Sequence, residues 1–411
     1  MMENRLLHTP EGVRDLYGEE YLKKLSLQNV LYQKIKSYGY MDIMTPTFEF
    51  FDVYSKEIGT TPSKELYKFF DKENNTLVMR PDFTPSVARA AAKYFMENNQ
   101  PARLCYLGNT FTNSSDLQGK LKEVTQIGAE CIGDDSVEAD AEMISLVIEA
   151  LLKAGLSDFQ VSIGAVEYFK GICESAGIME SVELELREQI SNKNYFGTEE
   201  ILTDCHLDSE TRQQIIHVTE LFGTEEILDD ALKNAGNERS IRAVCRLKNL
   251  YEMLACYGFE KYVTFDFGML SKYHYYTGII FRAYTFGTGD AIVKGGRYDG
   301  LLQKFGKESP AIGFAIVIDQ LMSAMMRQKI AMPVISNYIP VLYDQNSVKE
   351  AVVFAQKLRQ DGYEVELIKE REGITWENRI LPGKEKLIQK AYVLKDGREP
   401  VIVYPKADRK V

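Results

Sequence analysis

The sequence predicts an α+β protein: an antiparallel sheet flanked by helices, interrupted by a helical insertion and followed by a small α/β unit. Three observations carry this reading. Alternating apolar stretches able to pair as strands lie at residues 103–130 and return between 262 and 317. Between them, from Gly171 to Lys261, apolar residues recur at helical spacing with polar joints and little strand character. After the Pro-containing linker "KIAMPVISNYIP" the pattern turns to strand, helix, strand. The expected domains are a core of 1–170 with 261–325, a helical insertion at 171–260 and a C-terminal α/β unit at 335–411.

Element by element, Glu20 to Tyr38 places Leu22, Leu25, Val30, Leu31 and Ile35 at helical spacing, with Gly39 as the stop. "YMDIMTPTFEFFDVY" alternates but contains Pro46, which suits a strand at an edge or interface. "TLVMRPDFTPSVARAAAKYFMEN" reads as strand, turn and helix, with Thr84 as N-cap and Pro85 at the first helical position. "RLCYLGNTF" and "VTQIGAE" form a hairpin around a polar loop that has no cation from Thr110 to Leu117. Asp135 to Ala154 is an amphipathic helix ending at Gly155, and "FQVSIG" is a short strand. In the helical stretch "FGTEEIL" occurs twice, at Phe196 and Phe222. Two copies are too few for a solenoid, and Thr198 and Thr224 are expected to cap helices whose first turns carry paired glutamates. "YVTFDFGML", "YYTGIIFRAYTFG" and "DAIVKGGRYDGLLQKFG" restore strand character, and "PAIGFAIVIDQLMSAMM" is a strand running into a helix. Finally, "IPVLYD", a helix from Ser347 to Gln360, Gly362 and "YEVELI" make the C-terminal unit.

Composition narrows the class. A hydrophobic content of 45% with 27% charged residues is that of a globular chain. No run of about 18 apolar residues occurs and the N-terminus has no apolar signal core, so no membrane association and a cytoplasmic location are expected. The six cysteines are scattered without a Cys-x-x-Cys pair and only four histidines are present, so neither a zinc site nor a disulfide framework is expected. A net charge of −11 opposes the long-range attraction used by nucleic-acid binders. No cofactor is implied.

Four segments concentrate polar chemistry. In "MRPDFTP", Arg80 and Asp82 close a strand just before a helix, where they would also serve simply to stabilise the turn. Gln126 and Glu130, four apart on a strand, share one face, and with Asp82 a carboxylate there could hold an ammonium group. In "YHYYTGIIF", His274, Tyr275 and Tyr276 enter a strand, where aromatic residues also serve cross-strand packing. In "KGGRYDGLL", Gly295 and Gly296 allow close backbone approach to a ligand, or a bulge. Neither a Walker loop nor a dinucleotide fingerprint is present.

Together and in order, "TPEGVRDL", "RPDFTPSVAR", "LCYLGNTF" with "QIGAE", "HYYTGIIF", "GGRYDGLL" and "PAIGFAI" resemble the catalytic core of a class II histidyl-tRNA synthetase, over residues 1–325. The resemblance implies a six-stranded antiparallel sheet flanked by helices. In that family an arginine after "YLGNTF" grips the ATP α-phosphate, and this sequence has Thr112. A second catalytic arginine lies four residues before the Tyr-Tyr pair, where Ser271 stands, and a third falls at the position of Gln320. Amino-acid activation depends on fixed cations around the reacting phosphate. Each such donor contributes about 3 to 4 kcal/mol, so loss of three removes adenylate formation for practical purposes.

By the same resemblance, Asp82, Thr84 and Gln126 would meet the α-amino group of histidine. Glu130 with Tyr275 and Tyr276 would meet the imidazole, and Gly295 and Gly296 would form one wall. Asp82 departs from the family, which has the longer glutamate, and Ser271 leaves the ligand carboxylate without its usual partner. A core with the amino-acid side retained and the ATP side dismantled is similar to the regulatory subunits of ATP phosphoribosyltransferase, which "RPDFTPSVAR", "RLCYLGNTF" and "YHYYTGIIFRAYTFG" resemble more than an active synthetase. That resemblance implies a non-catalytic partner that activates a short-form catalytic subunit and relays feedback inhibition by histidine, as a homodimer within a hetero-oligomer, with tRNA not expected as a partner. The alternatives are an active histidine–tRNA ligase with relocated phosphate contacts, which a C-terminal α/β unit would suit, and a paralogue that reports histidine to an unrelated partner.

Overall fold

In the computed structural model, residues 7–55, 61–95, 100–114, 120–270, 275–332, 334, 336–371, 380, 384 and 387–404 are described. The chain begins with α1 (Gly18–Ser37), which turns out at Gly39 with φ +82°, a backbone conformation that favours glycine. Then follow the short strands β1 (Met41–Asp42), β2 (Phe48–Phe50), β3 (Lys68–Phe70) and β4 (Thr76–Met79), and α2 (Thr84–Tyr94). The long hairpin strands are β5 (Ala102–Phe111) and β6 (Glu123–Ile132). Ser136 caps α3 (Val137–Ala154) by accepting from Ala139 N, and Gly155 closes it at φ +97°.

After β7 (Phe159–Ala165) the chain is helical through α4 (Val166–Ser175), α5 (Glu180–Ser191), α6 (Tyr195–Asp204) and α7 (Ser209–Val218). β8 (Phe222–Gly223), α8 (Ile227–Asn234) and α9 (Glu238–Cys256) complete that stretch. Strands β9 (Val263–Asp266), β10 (Ile279–Thr285), β11 (Val293–Arg297) and β12 (Ala311–Val317) then lead into α10 (Ile318–Arg327). The last elements are β13 (Tyr338–Tyr343), α11 (Val348–Gln360), β14 (Glu364–Lys369), β15 (Ala391–Leu394) and β16 (Val401–Val403).

Among the described residues the main sheet runs β1-β5-β6-β12-β11-β10-β7-β9-β8. Its middle six strands, β5 to β7, are antiparallel throughout, as the class II resemblance implies. β1 joins β5 and β9 joins β7 in parallel, so the sheet is mixed at its margins. α3 buries a full apolar face, from Ala139 to Leu151, and α9 packs against α3 and α4. A separate three-stranded sheet, β2-β4-β3, precedes α2.

The chain divides into two compact units, one of residues 1–13 and 28–331, the other of 14–27 and 332–411. Residues 14–27, which the sequence places with the core, thus cluster with the C-terminal unit. In that unit the sheet runs β14-β13-β15-β16, parallel except for β16. Leu22 packs against its cluster of Tyr338, Leu342 and Ile368. Among the described residues, no helix is long and apolar enough to cross a membrane.

Three expected caps fall elsewhere. Thr84 is the first helical residue of α2 and makes no cap; its hydroxyl is used by a buried carboxylate. α6 is capped by Asn194, which accepts from Gly197 N, while Thr198 lies inside the helix and bonds back to Asn194 O. In the second "FGTEEIL", Phe222 and Gly223 pair with Asp266 and Phe265 as β8, and Thr224 supplies only a turn carbonyl to Ile227 N. One heptapeptide thus takes two structures, because only the second copy meets an open strand edge.

Candidate functional site

The site is built where α2 begins against the β5–β6–β12 part of the sheet. Glu130, near the end of β6, is wholly buried. Its Oε1 accepts from Thr84 Oγ1 at 2.9 Å and more distantly from Tyr106 OH at 3.4 Å, and its Oε2 accepts from Tyr298 OH at 2.6 Å. Burial pushes the Glu130 carboxyl up to about 8, against the three hydroxyls, which favour its ionised form. Tyr298 and Tyr106 are held well above the usual phenol range, by burial first and by the Glu130 charge second.

Thr84 joins the two carboxylates of the site. Its hydroxyl goes to Glu130, and its backbone N–H donates to Asp82 Oδ1 at 3.2 Å. Asp82 is held through its carbonyl, which accepts from Tyr54 OH at 2.8 Å, and Tyr54 is in turn within 2.6 Å of Ser86 Oγ. Burial raises the Asp82 carboxyl, while the amides of Thr84 and Phe83 and the Tyr275 hydroxyl pull it back down. Tyr275 is buried and packs edge-on to Tyr298, with Tyr276 stacked obliquely at 4.6 Å. Asp82, Thr84, Glu130 and Tyr275 are therefore one connected group.

Gln126 lies on the same face of β6 as Glu130, and its Oε1 is buried without a hydrogen bond among the described residues. Such an acceptor is unusual in a native interior. The two glycines of "KGGRYDG" serve packing. A Cβ on Gly295 would lie 2.3 Å from the Phe281 ring directly across the β10–β11 ladder, and one on Gly296 would lie 2.7 Å from the Tyr276 ring. Gly296 thus seats an aromatic residue of the site.

Thr112 ends the β5 ladder by donating its N–H to Lys122 O. Gln320 lies in the first turn of α10, with a buried Oε1 that also has no partner among the described residues. Ser271 and His274 lie outside the described residues. Arg80 is not a free cation. It spends its Nε on Asn109 O at 2.7 Å and its Nη1 on Thr45 O at 2.9 Å and Pro46 O at 3.3 Å, and it stacks 4.1 Å over Phe83.

Sequence reasoning missed four residues that shape the carboxylate cage. Tyr106 and Tyr298 supply hydroxyls, and Gly128 and Gly313 supply room. A Cβ on Gly313 would sit 1.6 Å from Glu130 Oε2, and one on Gly128 would sit 2.4 Å from Tyr106 OH. Each glycine lies opposite its large partner in the ladder, Gly313 across from Glu130 and Gly128 across from Tyr106. The alternation on β5 marks Tyr106 as sharing a face with Leu104, but only the strand register reveals whom it meets. Chemically, two carboxylates held by neutral hydroxyls and amides suit a ligand rich in N–H donors.

The six antiparallel strands, which bring Asp82 before α2 to Glu130 on β6, are those of a class II synthetase-like chain, and residues 12–321 match the family model for histidyl-tRNA synthetase. Closer relatives separate the branches. An ATP phosphoribosyltransferase regulatory subunit from Acetivibrio thermocellus is 39% identical over 361 residues, covering 88% of this chain and 86% of that protein. Another from Clostridium botulinum is 32% identical over 420 residues, 99% of this chain and 98% of that one. The solved structure of an ATP phosphoribosyltransferase regulatory subunit/histidyl-tRNA synthetase from Bacillus halodurans C is similar with a TM-score of 0.83 and 31% identity, covering 95% of this chain and 98% of that one. A histidyl-tRNA synthetase from Nostoc sp. PCC 7120, at 20% identity and TM-score 0.77, covers 97% of each chain and shares the fold. The chain belongs to the family of ATP phosphoribosyltransferase regulatory subunits, built on the histidyl-tRNA synthetase fold.

Proposed function

We propose that this chain is the non-catalytic regulatory subunit of ATP phosphoribosyltransferase, activating a short-form catalytic subunit and conveying feedback inhibition by histidine in histidine biosynthesis. The observation that carries the ligand part is the Thr84-bridged pair Asp82 and Glu130, caged by neutral donors. Histidine offers two donor groups that match it. The α-ammonium goes to Asp82, Thr84 and the Gln126 Oε1 that has no partner among the described residues, and the imidazole N–H goes to Glu130, flanked by Tyr275 and Tyr276. Gly295 and Gly296 back this wall. Thr112, Ser271 and Gln320 stand where activation would need arginines, so the pocket senses histidine and does not adenylate it.

The cytoplasmic homodimer within a hetero-oligomer is part of this reading. Supporting it, Phe48 and Phe50 lie exposed on β2 and Phe69 on β3, on one face of the small sheet beside Leu77. The helical stretch 171–260 is read as an insertion in the synthetase-like core, and 335–411 as a separate α/β domain.

The test is calorimetric titration of the purified chain with histidine, ATP–pyrophosphate exchange on the chain alone, and phosphoribosyl transfer with the short catalytic subunit added. Expected are histidine binding, no exchange, and activity of the mixture that histidine suppresses. A robust exchange signal would replace this reading with an active histidine–tRNA ligase.

A further inference from the structure

α9 belongs to the helical stretch, yet one of its side chains reaches the first turn of α3 and the loop before it. Arg246 Nε donates to Asp140 Oδ2 at 2.8 Å, and its Nη2 donates to the carbonyls of Asp135 at 2.8 Å and Ser136 at 3.2 Å. The other oxygen of the same carboxylate, Oδ1, accepts from Arg297 Nε at 2.7 Å. Arg297 in turn donates to the carbonyls of Asp134 at 3.0 Å and Ser136 at 3.2 Å. Asp140 is 0% exposed and Arg297 3%. Two guanidinium groups thus hold the two oxygens of one buried carboxylate and share one loop, 134–136.

From Arg297 the bonding continues into the site. Its carbonyl accepts from Thr277 N at 2.9 Å. Thr277 and Asp299 bind each other twice, Thr277 Oγ1 donating to Asp299 Oδ2 at 3.2 Å and Asp299 N donating to Thr277 Oγ1 at 2.9 Å. Arg297 lies between Gly296, which seats the Tyr276 ring, and Tyr298, which donates to Glu130. Thr277 directly follows Tyr275 and Tyr276. Every link from Arg246 to the cage is a hydrogen bond or a covalent neighbour.

A buried carboxylate between two cations is a poor source of stability compared with apolar packing, but removing one partner of such a set is costly and local. Its effect here falls on geometry. We infer that Arg246 is a positioning residue for the pocket: through Asp140 it fixes Arg297, and thereby the two segments that present Tyr275, Tyr276 and Tyr298. Docking of α9 and occupancy of the pocket are then linked, and linkage works in both directions.

Site-resolved hydrogen exchange on the full chain tests this without any ligand. Arg246→Met should speed exchange of the Thr277 and Asp299 amides about tenfold or more, the effect of losing a charge-assisted hydrogen bond on local opening, with the β5–β6 hairpin unchanged. Arg246→Lys, which keeps a cation but loses the fork, should fall between the two and provides the reading if the Met variant fails to fold. Wild-type rates at Thr277 and Asp299 in the folded variants would overturn the inference. So would an equal rise across the whole sheet, which marks a purely structural tie. The ligand arm rests on the histidine reading: Arg246→Met should bind histidine about tenfold more weakly. If wild-type protein binds no histidine, that reading fails alone and the exchange result still decides the role of Arg246.

Discussion

Replacing Tyr298 by phenylalanine removes one O–H and keeps the ring, and the stability it costs should depend on pH. Tyr298 donates to Glu130 Oε2 at 2.6 Å, whereas the hydroxyls of Thr84 and Tyr106 both reach Oε1. The variant therefore strips Oε2 of its hydrogen bond in a place with no solvent access, since Tyr298 is 1% exposed and Glu130 0%. A hydrogen bond to a charged group contributes about 1.5–3 kcal/mol, and one between neutral groups about 0.5–1.5. Burial moves the Glu130 carboxyl from 4.5 to about 8. The unfolded chain thus releases this proton at the lower value while the folded protein keeps it to the higher one. More protons are bound in the folded state between the two, so this group's contribution to stability is fully present below 4.5 and is lost as pH rises to about 8. The Tyr298 bond favours the ionised form, so its loss matters most where Glu130 is charged.

Urea unfolding of Tyr298→Phe against wild type should show a stability loss of about 1 kcal/mol near about pH 5 and about 2–3 kcal/mol near about pH 9. Subtracting one protein from the other cancels the titration of groups the change does not touch. A loss that is flat with pH, or largest in acid, would refute the assignment of a proton to Glu130 in the folded protein below about pH 8.

Three further changes probe the same cage and its support. Glu130→Gln removes the buried charge, so relative to wild type its unfolding free energy should rise by up to about 4 kcal/mol from about pH 5 to about pH 9, while calorimetry shows histidine binding lost. Gly313→Ala puts a methyl group 1.6 Å from Glu130 Oε2 and 2.8 Å from Ala129 O; with the carboxylate pinned by three hydroxyls, denaturant unfolding should show a loss of about 1–3 kcal/mol. Arg80→Lys keeps the charge but cannot reach the carbonyls of Thr45, Pro46 and Asn109 together while stacking on Phe83, and thermal unfolding should report a loss of about 1–3 kcal/mol.

Much of the candidate site was legible in the chain because its residues sit in short motifs at strand ends. Asp82 and Thr84 stand two apart before a helix, and Gln126 and Glu130 share a face by the two-residue period of a strand. Thr84 shows where such reading stops. A threonine before Pro85 is a good cap locally, but a wholly buried carboxylate 46 positions away competes for the same hydroxyl and takes it. Tyr298 and Gly313 had no local signal, and for Tyr106 the alternation of β5 gave only its face, because their meaning lies in which strand is placed opposite.

Periodicity along the chain determined the alternating stretches that pair as strands and the helical stretch between them, whereas the six-stranded antiparallel arrangement and the expectation of neutral residues where arginines would stand came from the resemblance to the synthetase family. Tertiary structure alone decided that three hydroxyls converge on Glu130, that Gly313 vacates the space its carboxylate fills, and that Arg246 reaches Asp140 across the fold. Those contacts join residues up to 183 positions apart, as Glu130 and Gly313 are in the β6–β12 register. Strand register and helix docking are settled by the whole buried core at once, and no window of sequence contains them.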